Sequence, residues 1–149
     1  MLNLGSVLEH QGKLDAAIDY YRKAVKLSPG ELTPLRRLTA ALLAKGQAGE
    51  ALIAYQQALQ LGPNREELLL DLGNIHLGLT NYNAAADSYR KALQIEPASA
   101  GLHYNLGLVL GLQNQPEAER QELKECLRLQ PDFSAAAQQL ELLNAPQTK

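Results

Sequence analysis

The residues of this sequence best suited to chemistry are its three histidines and its single cysteine. Imidazole and thiolate groups hold metals or act as nucleophiles when several of them converge on one site. His10, His76 and His103 are far apart in the sequence and lack the spacing of metal ligands. We expect His76 to be a packed, hydrogen-bonded imidazole and Cys126 to be a buried, inert thiol.

No motif for catalysis accompanies these residues. The sequence has no Gly-rich phosphate loop, no His-Glu-x-x-His motif and no nucleophile elbow. We therefore predict a protein that is not an enzyme and that uses neither a metal nor a cofactor.

The composition is that of a globular chain without a strong charge bias. Apolar residues make up 46% of the 149 residues, charged residues make up 20%, and the formal net charge is -2. Nucleic-acid-binding proteins usually carry a basic excess, so we expect no nucleic-acid partner. No apolar run approaches the ~20 residues of a membrane span. The chain lacks a signal-peptide pattern and a second cysteine for a disulfide, which favours a cytoplasmic location.

The secondary-structure elements that position the histidines and the cysteine are indicated by an internal repeat of 34 residues. Five sets of residues keep this period without insertion or deletion: Pro29, Pro63, Pro97 and Pro131; Ala17, Ala51 and Ala85; Tyr21, Tyr55 and Tyr89; Ala24, Ala58, Ala92 and Cys126; and Gly5, Thr39, Gly73 and Gly107. Fixed periods of 20 to 50 residues indicate a protein built from stacked structural repeats.

Each period contains the patterns of two amphipathic helices. Leu35, Leu38 and Leu42 recur at helical spacing, and Gly46 then ends the helix. A second helix follows and stops before Pro63, because proline cannot continue the backbone hydrogen bonds. No alternating β-branched run is present, so the sequence predicts an all-α fold.

Three local features concern helix starts and one irregular position. Asn64 with Glu67, and Asn114 with Glu117, have the spacing of an N-cap and its capping-box partner. Glu119 occupies the position that holds alanine in the other repeats. Burying an unpaired carboxylate is costly. We expect either that the helix around Glu119 is looser or that Glu119 reaches solvent at an edge.

The spacing of the recurring residues resembles the tetratricopeptide repeat. The residues that carry the resemblance are Leu4, Gly5, Leu8, Gly12, Ala17, Tyr21, Ala24 and Pro29, and again Leu72, Gly73, Ala85, Tyr89, Ala92 and Pro97. It divides the chain into repeats at 1–31, 32–65, 66–99 and 100–131, a capping helix at 132–144 and a tail at 145–149. It implies a right-handed superhelical solenoid of antiparallel helix pairs, with the first helix of each pair lining a concave groove.

The resemblance also implies which residues face that groove, namely the second, fifth, sixth and ninth positions of each first helix. The residues that we predict to bind a peptide there are Asn3, Arg36, Arg37, Asp71, Asn74, Tyr104 and Asn105. Asparagine amides both donate and accept hydrogen bonds, arginine pairs with carboxylates, and tyrosine gives an amphipathic contact surface. The expected partner is a protein that presents an extended or short helical peptide segment.

Two binding modes of the family match these residues only in part. The carboxylate clamp of chaperone-binding members is matched by Asn3 and Arg37, but Thr33 stands in place of a lysine. The asparagine ladder of repeats fused to sugar-transferring enzymes is matched by Asn3 and Asn105, but not by Arg37 or Asp71. A full match to either mode is therefore not expected.

Two other functions remain open. The first repeat begins inside its first helix, so the chain is alternatively a region that presents substrate within a larger enzyme such as a glycosyltransferase. The other alternative is self-association through exposed end helices, around Leu4 and Val7.

Overall fold

The computed structural model describes residues 1–62 and 65–145, and within these ranges the chain is helical and has no strand. The helices are α1 (Leu2–His10), α2 (Leu14–Leu27), α3 (Leu32–Ala44), α4 (Ala48–Leu61), α5 (Arg65–Gly78), α6 (Tyr82–Ile95), α7 (Ala100–Leu112), α8 (Pro116–Leu129) and α9 (Ser134–Asn144). The predicted all-α fold is confirmed. Pro63 and the N-cap prediction for Asn64 lie outside the described residues. None of the helices described is both long and apolar enough to cross a membrane.

The chain divides into two compact units, an N-terminal unit of Met1–Leu68 and a C-terminal unit of Leu69–Lys149. In the N-terminal unit, α2 packs on both α1 and α3, and α3 packs on α4. In the C-terminal unit, α7 packs on α6 and α8, and α8 packs on α9. Within each unit, these helices thus pack against their sequence neighbours, as stacked hairpins require.

The recurring tyrosines form the centre of the packing. Tyr21, Tyr55 and Tyr89 are almost completely buried, and we call them the tyrosine column. A Cβ atom on Gly5 would lie 2.5 Å from the ring of Tyr21, and one on Gly73 would lie 2.7 Å from Cδ1 of Tyr89. Glycine recurs at these positions because the tyrosine ring takes the space of a side chain.

The fourth repeat packs differently at this point. Leu123 takes the place of the tyrosine and is fully buried. A Cβ atom on Gly107 would meet Leu123 at 3.4 Å, which is ordinary van der Waals distance. The glycine is therefore not required sterically in this repeat.

The first helix of each pair ends in the same hydrogen-bonded turn. At these turns the residues with positive φ angles are Gly12 (73°), Gly46 (75°), Thr80 (59°) and Asn114 (59°), which are 34 residues apart. After each one, a backbone N–H donates to a carbonyl five residues earlier: Lys13 to Leu8, Gln47 to Leu42, Asn81 to His76 and Gln115 to Leu110, at 2.8–2.9 Å. This is the Schellman motif, which needs a left-handed residue after the helix.

The N-cap prediction for Asn114 is therefore wrong. Asn114 ends α7, and Gln115 occupies the N-cap position of α8 without a side-chain cap. Asparagine tolerates left-handed backbone geometry better than most residues, so it can replace the glycine of the earlier repeats. Glu117 pairs with Arg120 at 2.6 Å.

Glu119 does not reach solvent, so that expectation is also wrong. Its side chain is only 3% exposed, and Nε2 of Gln139 donates a hydrogen bond of 2.8 Å to Oε1 of Glu119. Helix α9 covers the carboxylate, and this helix lies outside the repeat from which the expectation was drawn. The alternative that α8 is looser stays a prediction, although Leu123 and Cys126 on α8 are fully buried.

Cys126 and His76 both lie in packed surroundings that shift their pKa values. Cys126 is fully buried, and burial raises the pKa of its thiol, as expected of an inert cysteine. Burial lowers the pKa of His76, and its Nδ1 has no hydrogen-bond partner among the described residues. The hydrogen-bonded imidazole that was expected is therefore not found at Nδ1. In residues 1–62 and 65–145 no three metal-ligating side chains come together.

Candidate functional site

The predicted peptide-binding residues fall into two groups, one in each compact unit. In the N-terminal unit, Asn3 lies on α1, and Arg36 and Arg37 lie on α3; all three are exposed. Asn3 also lines a cavity of about 290 Å³ with Glu31 and Pro34. The cavity lies where the start of α1, the end of α2 and the start of α3 meet.

A polar cluster on the N-terminal unit surrounds the hydroxyl group of Tyr21. This hydroxyl donates a hydrogen bond of 2.7 Å to Oε2 of Glu9. Burial, followed by the Glu9 carboxylate, raises the pKa of Tyr21 to about 12, while Arg37 and Ser6 act in the opposite direction. Helices α1, α2 and α3 therefore bring a carboxylate, a hydroxyl and a guanidinium group together. Such a cluster can offer both donors and acceptors to a peptide backbone.

In the C-terminal unit, Asp71 and Asn74 lie on α5, and Tyr104 and Asn105 lie on α7. Asn74 is exposed, and its Oδ1 accepts a hydrogen bond of 2.7 Å from the hydroxyl of Tyr89. The bond orients the Asn74 amide because Tyr89 is itself held in the core. Asp71 and Asn105 are half-buried.

Tyr104 takes part in packing more than its sequence position suggested. Its ring centroid lies 4.9 Å from that of Phe133, with the two rings tilted by 37°. Tyr104 also packs against the buried cluster of Leu123, Cys126 and Ala136. It remains half-buried, so only part of the ring is left for a partner.

Comparison with known families agrees with the geometry. Models described as tetratricopeptide repeat match residues 1–64 and 100–133, and a model described as TPR repeat matches residues 81–114. These ranges contain the tyrosine column and the helices α1 to α4 and α6 to α8. The chain belongs to the tetratricopeptide repeat family. This membership supports a role as a protein–protein interaction scaffold. A comparison with curated proteins gives no match.

Solved structures show the same fold. MamA from Desulfovibrio magneticus RS-1 is 22% identical with a TM-score of 0.73, over 95% of this chain and 80% of that chain. A tetratricopeptide repeat protein from Parabacteroides merdae is 21% identical with a TM-score of 0.73, over 95% and 56%. The Cut9–Hcn1 hetero-tetramer structure is 22% identical with a TM-score of 0.71, over 97% and 29%. At these identities the similarity concerns the fold.

The sequence did not predict a cavity with polar groups in the C-terminal unit of this tetratricopeptide repeat chain. Glu119, Gly111 and Gln139 line a cavity of about 400 Å³ in the C-terminal unit. The sequence signal was two coincident departures from the repeat: glutamate replaces alanine at 119, and glycine replaces a larger residue at 111. Only the first departure was recognised from the sequence.

Another missed cavity, of about 480 Å³, lies among α2, α3 and α4 in the N-terminal unit. Its walls include Val25, Leu42 and Ile53, and an Arg22–Glu50 ion pair of 2.5 Å lies beside it. Both ionic side chains are substantially exposed, so the pair adds little stability.

Proposed function

We propose that this chain binds an extended or short helical peptide segment of a partner protein on the first helices of its repeats. The observation that carries the proposal is the exposure of Asn3, Arg37 and Asn74 on helices whose other side is buried. Packing does not require the side chains of Asn3 and Arg37, and exposed polar residues without a packing role are common interaction sites.

The chemistry of the two groups fits a peptide backbone. The Asn74 amide is oriented by the Tyr89 hydroxyl, so less side-chain entropy is lost when a partner binds. Its N–H groups donate to a peptide carbonyl, and asparagine at position 3 both donates and accepts. Arg37 adds a positive charge near the Tyr21–Glu9 pair and can bind a carboxylate of the partner. Within each unit, such contacts are expected to act together on the bound peptide.

The proposal is tested with the double variant Arg37→Ala and Asn105→Ala. Partners captured by the wild-type chain are identified by mass spectrometry, purified and measured by calorimetry against both proteins. We expect a loss of affinity of about tenfold or more, since two interface contacts of roughly 1 kcal/mol each are removed. The control is Arg90→Ala, an exposed arginine on α6 that pairs with Asp87 of the same helix. Unchanged affinity in the double variant would show that the groove assignment is wrong.

Self-association through α1 is the second candidate function. Leu4 and Val7, one helical turn apart, are 46% and 51% exposed, and Met1 is also exposed. Apolar side chains on one exposed helix face favour contact with another apolar surface. A second copy of the chain offers the same face.

A further inference from the structure

The fourth repeat differs from the others at two positions that touch each other. Glu119 stands where Ala17, Ala51 and Ala85 are fully buried, and Gly111 stands at the position of Glu9, Leu43 and Leu77. A Cβ atom on Gly111 would lie 2.5 Å from Oε2 of Glu119. The carboxylate therefore occupies space that exists only because position 111 has no side chain.

A cavity of about 400 Å³ lies beside these two residues within the C-terminal unit. Its apolar walls are Leu77 on α5 and Leu108 and Leu112 on α7, and its polar groups are Glu119 on α8 and Gln139 on α9. A cavity of this size lies near the lower end of the range for ligand pockets. It suits one long side chain with an apolar stem and a polar end.

Glu119 has no cationic partner in the described part of the chain. Its Oε1 accepts one hydrogen bond from Gln139, and Glu119 forms no ion pair with any cation in residues 1–62 and 65–145. The neighbouring Arg120 instead forms an ion pair with Glu117 at 2.6 Å and donates a hydrogen bond of 3.1 Å to Oδ1 of Asn144. Burying a carboxylate without a paired cation is costly. Departures of this kind from the repeat pattern are typical of functional positions.

We propose that this cavity binds one arginine side chain of a partner protein. The Glu119 carboxylate and the amide oxygen of Gln139 are hydrogen-bond acceptors, and a guanidinium group has five donors and no acceptor. Its planar form matches a carboxylate, and its aliphatic stem packs along Leu77, Leu108 and Leu112. The inference deepens the proposed function, on which it rests, by naming the chemistry that the partner peptide must present.

The experiment is an NMR titration of the whole ¹⁵N-labelled chain with N-acetyl-arginine amide as the probe. We expect saturable shifts of the Gly111 backbone amide and of the Gln139 side-chain amide. N-acetyl-citrulline amide, which has nearly the same shape but no charge, is expected to bind at least tenfold more weakly. Absence of saturable shifts at these two residues, or equal binding of citrulline, would overturn the proposal.

Two variants test the role of the carboxylate. Glu119→Gln keeps the shape of the side chain, and Glu119→Ala restores the residue of the other three repeats, which provides a variant expected to fold. Both are expected to lose at least tenfold in affinity for the arginine probe. The control Glu141→Gln removes an exposed carboxylate on α9 and is expected to bind as the wild type does. Wild-type binding by a folded Glu119→Ala chain would also contradict the proposal.

The result of the arginine titration can be distinguished from the result of the partner-affinity test of the proposed function. The probe is a single amino-acid derivative, so its binding does not depend on Arg37 or Asn105. If the Arg37→Ala and Asn105→Ala chain keeps full partner affinity while the arginine probe still binds at Gly111 and Gln139, the groove assignment fails and the pocket stands. If the groove variant loses its partner and the probe does not bind, the pocket alone fails.

Discussion

At the scale of single residues, the rings of Tyr21 and Tyr89 leave no room for a side chain at Gly5 and Gly73. The ring of Tyr89 fills the space beside Gly73, whereas Leu123 leaves room beside Gly107. Glycine at the same place in two repeats is therefore sterically required at position 73 but not at position 107. Helix propensity alone would favour alanine at both positions.

The first prediction compares these two glycines. Gly73→Ala is expected to lower the free energy of unfolding by about 1–3 kcal/mol, because the added methyl group overlaps the Tyr89 ring. Gly107→Ala is expected to be neutral or to stabilise by up to about 1 kcal/mol. Urea unfolding of the wild type and both variants measures the difference. Equal losses in the two variants would contradict the steric explanation.

The second prediction concerns the buried tyrosine hydroxyls. Burial raises the pKa of Tyr21 and of Tyr89 to about 12, above the ordinary 10.0. Between pH 10 and pH 12 the folded state keeps tyrosine protons that the unfolded state releases. The contribution of these hydroxyls to the free energy of unfolding is therefore complete below pH 10 and is lost as the pH rises towards 12. Urea unfolding across this range is expected to show a smaller fall for Tyr89→Phe than for the wild type. Parallel pH curves for the two chains would contradict the prediction.

Single residues also show how far sequence reasoning reaches at the candidate site. The family resemblance placed Asn3 and Arg37 on the side of their helices that core packing leaves free, and both side chains are exposed. The contact between Tyr104 and Phe133 joins α7 to the segment before α9. It was not predictable, because no repeat column describes how the last helix packs.

At the scale of elements, the repeated Schellman turn sets where each first helix ends. Glycine supplies the left-handed residue in the first two repeats, but Thr80 and Asn114 adopt it with positive φ angles of 59°. A β-branched residue is rare in this conformation. The hydrogen bond from Asn81 to the carbonyl of His76, at 2.8 Å, shows that the turn forms nonetheless.

The third prediction tests this strain. Thr80→Gly is expected to raise the free energy of unfolding by about 1 kcal/mol, because relief of the left-handed strain exceeds the entropy that glycine adds to the unfolded chain. The matched change Gly46→Ala is expected to cost about 1 kcal/mol, since it introduces the same strain. Thermal unfolding of both variants provides the measurement. Destabilisation by Thr80→Gly would show that the turn at Thr80 is not strained.

At the scale of the whole molecule, exposed apolar side chains on α1 favour association between copies of the chain. Leu4 is 46% exposed although its equivalents Leu38 and Leu106 are buried. Helix α3 packs on both α2 and α4, and α7 packs on both α6 and α8, whereas α1 packs on α2.

The fourth prediction is that this surface promotes self-association. The sedimentation coefficient of the wild-type chain is expected to rise with concentration, and Leu4→Glu is expected to abolish the rise by placing a charge on the apolar face. Ile95→Glu, which changes an equally exposed apolar residue on α6, serves as the control and is expected to sediment as the wild type. A wild-type chain that sediments as a monomer at all concentrations would exclude this function.

The sequence by itself determined the 34-residue period, the helix pairs and the buried tyrosine column. These features depend on residue types at fixed spacing, which act through local backbone preference and through the same packing contact in successive repeats. Tertiary structure alone decided that Glu119 is buried beside Gly111 and bonded to Gln139. That arrangement joins three helices, and the fate of a polar side chain depends on which distant atoms surround it.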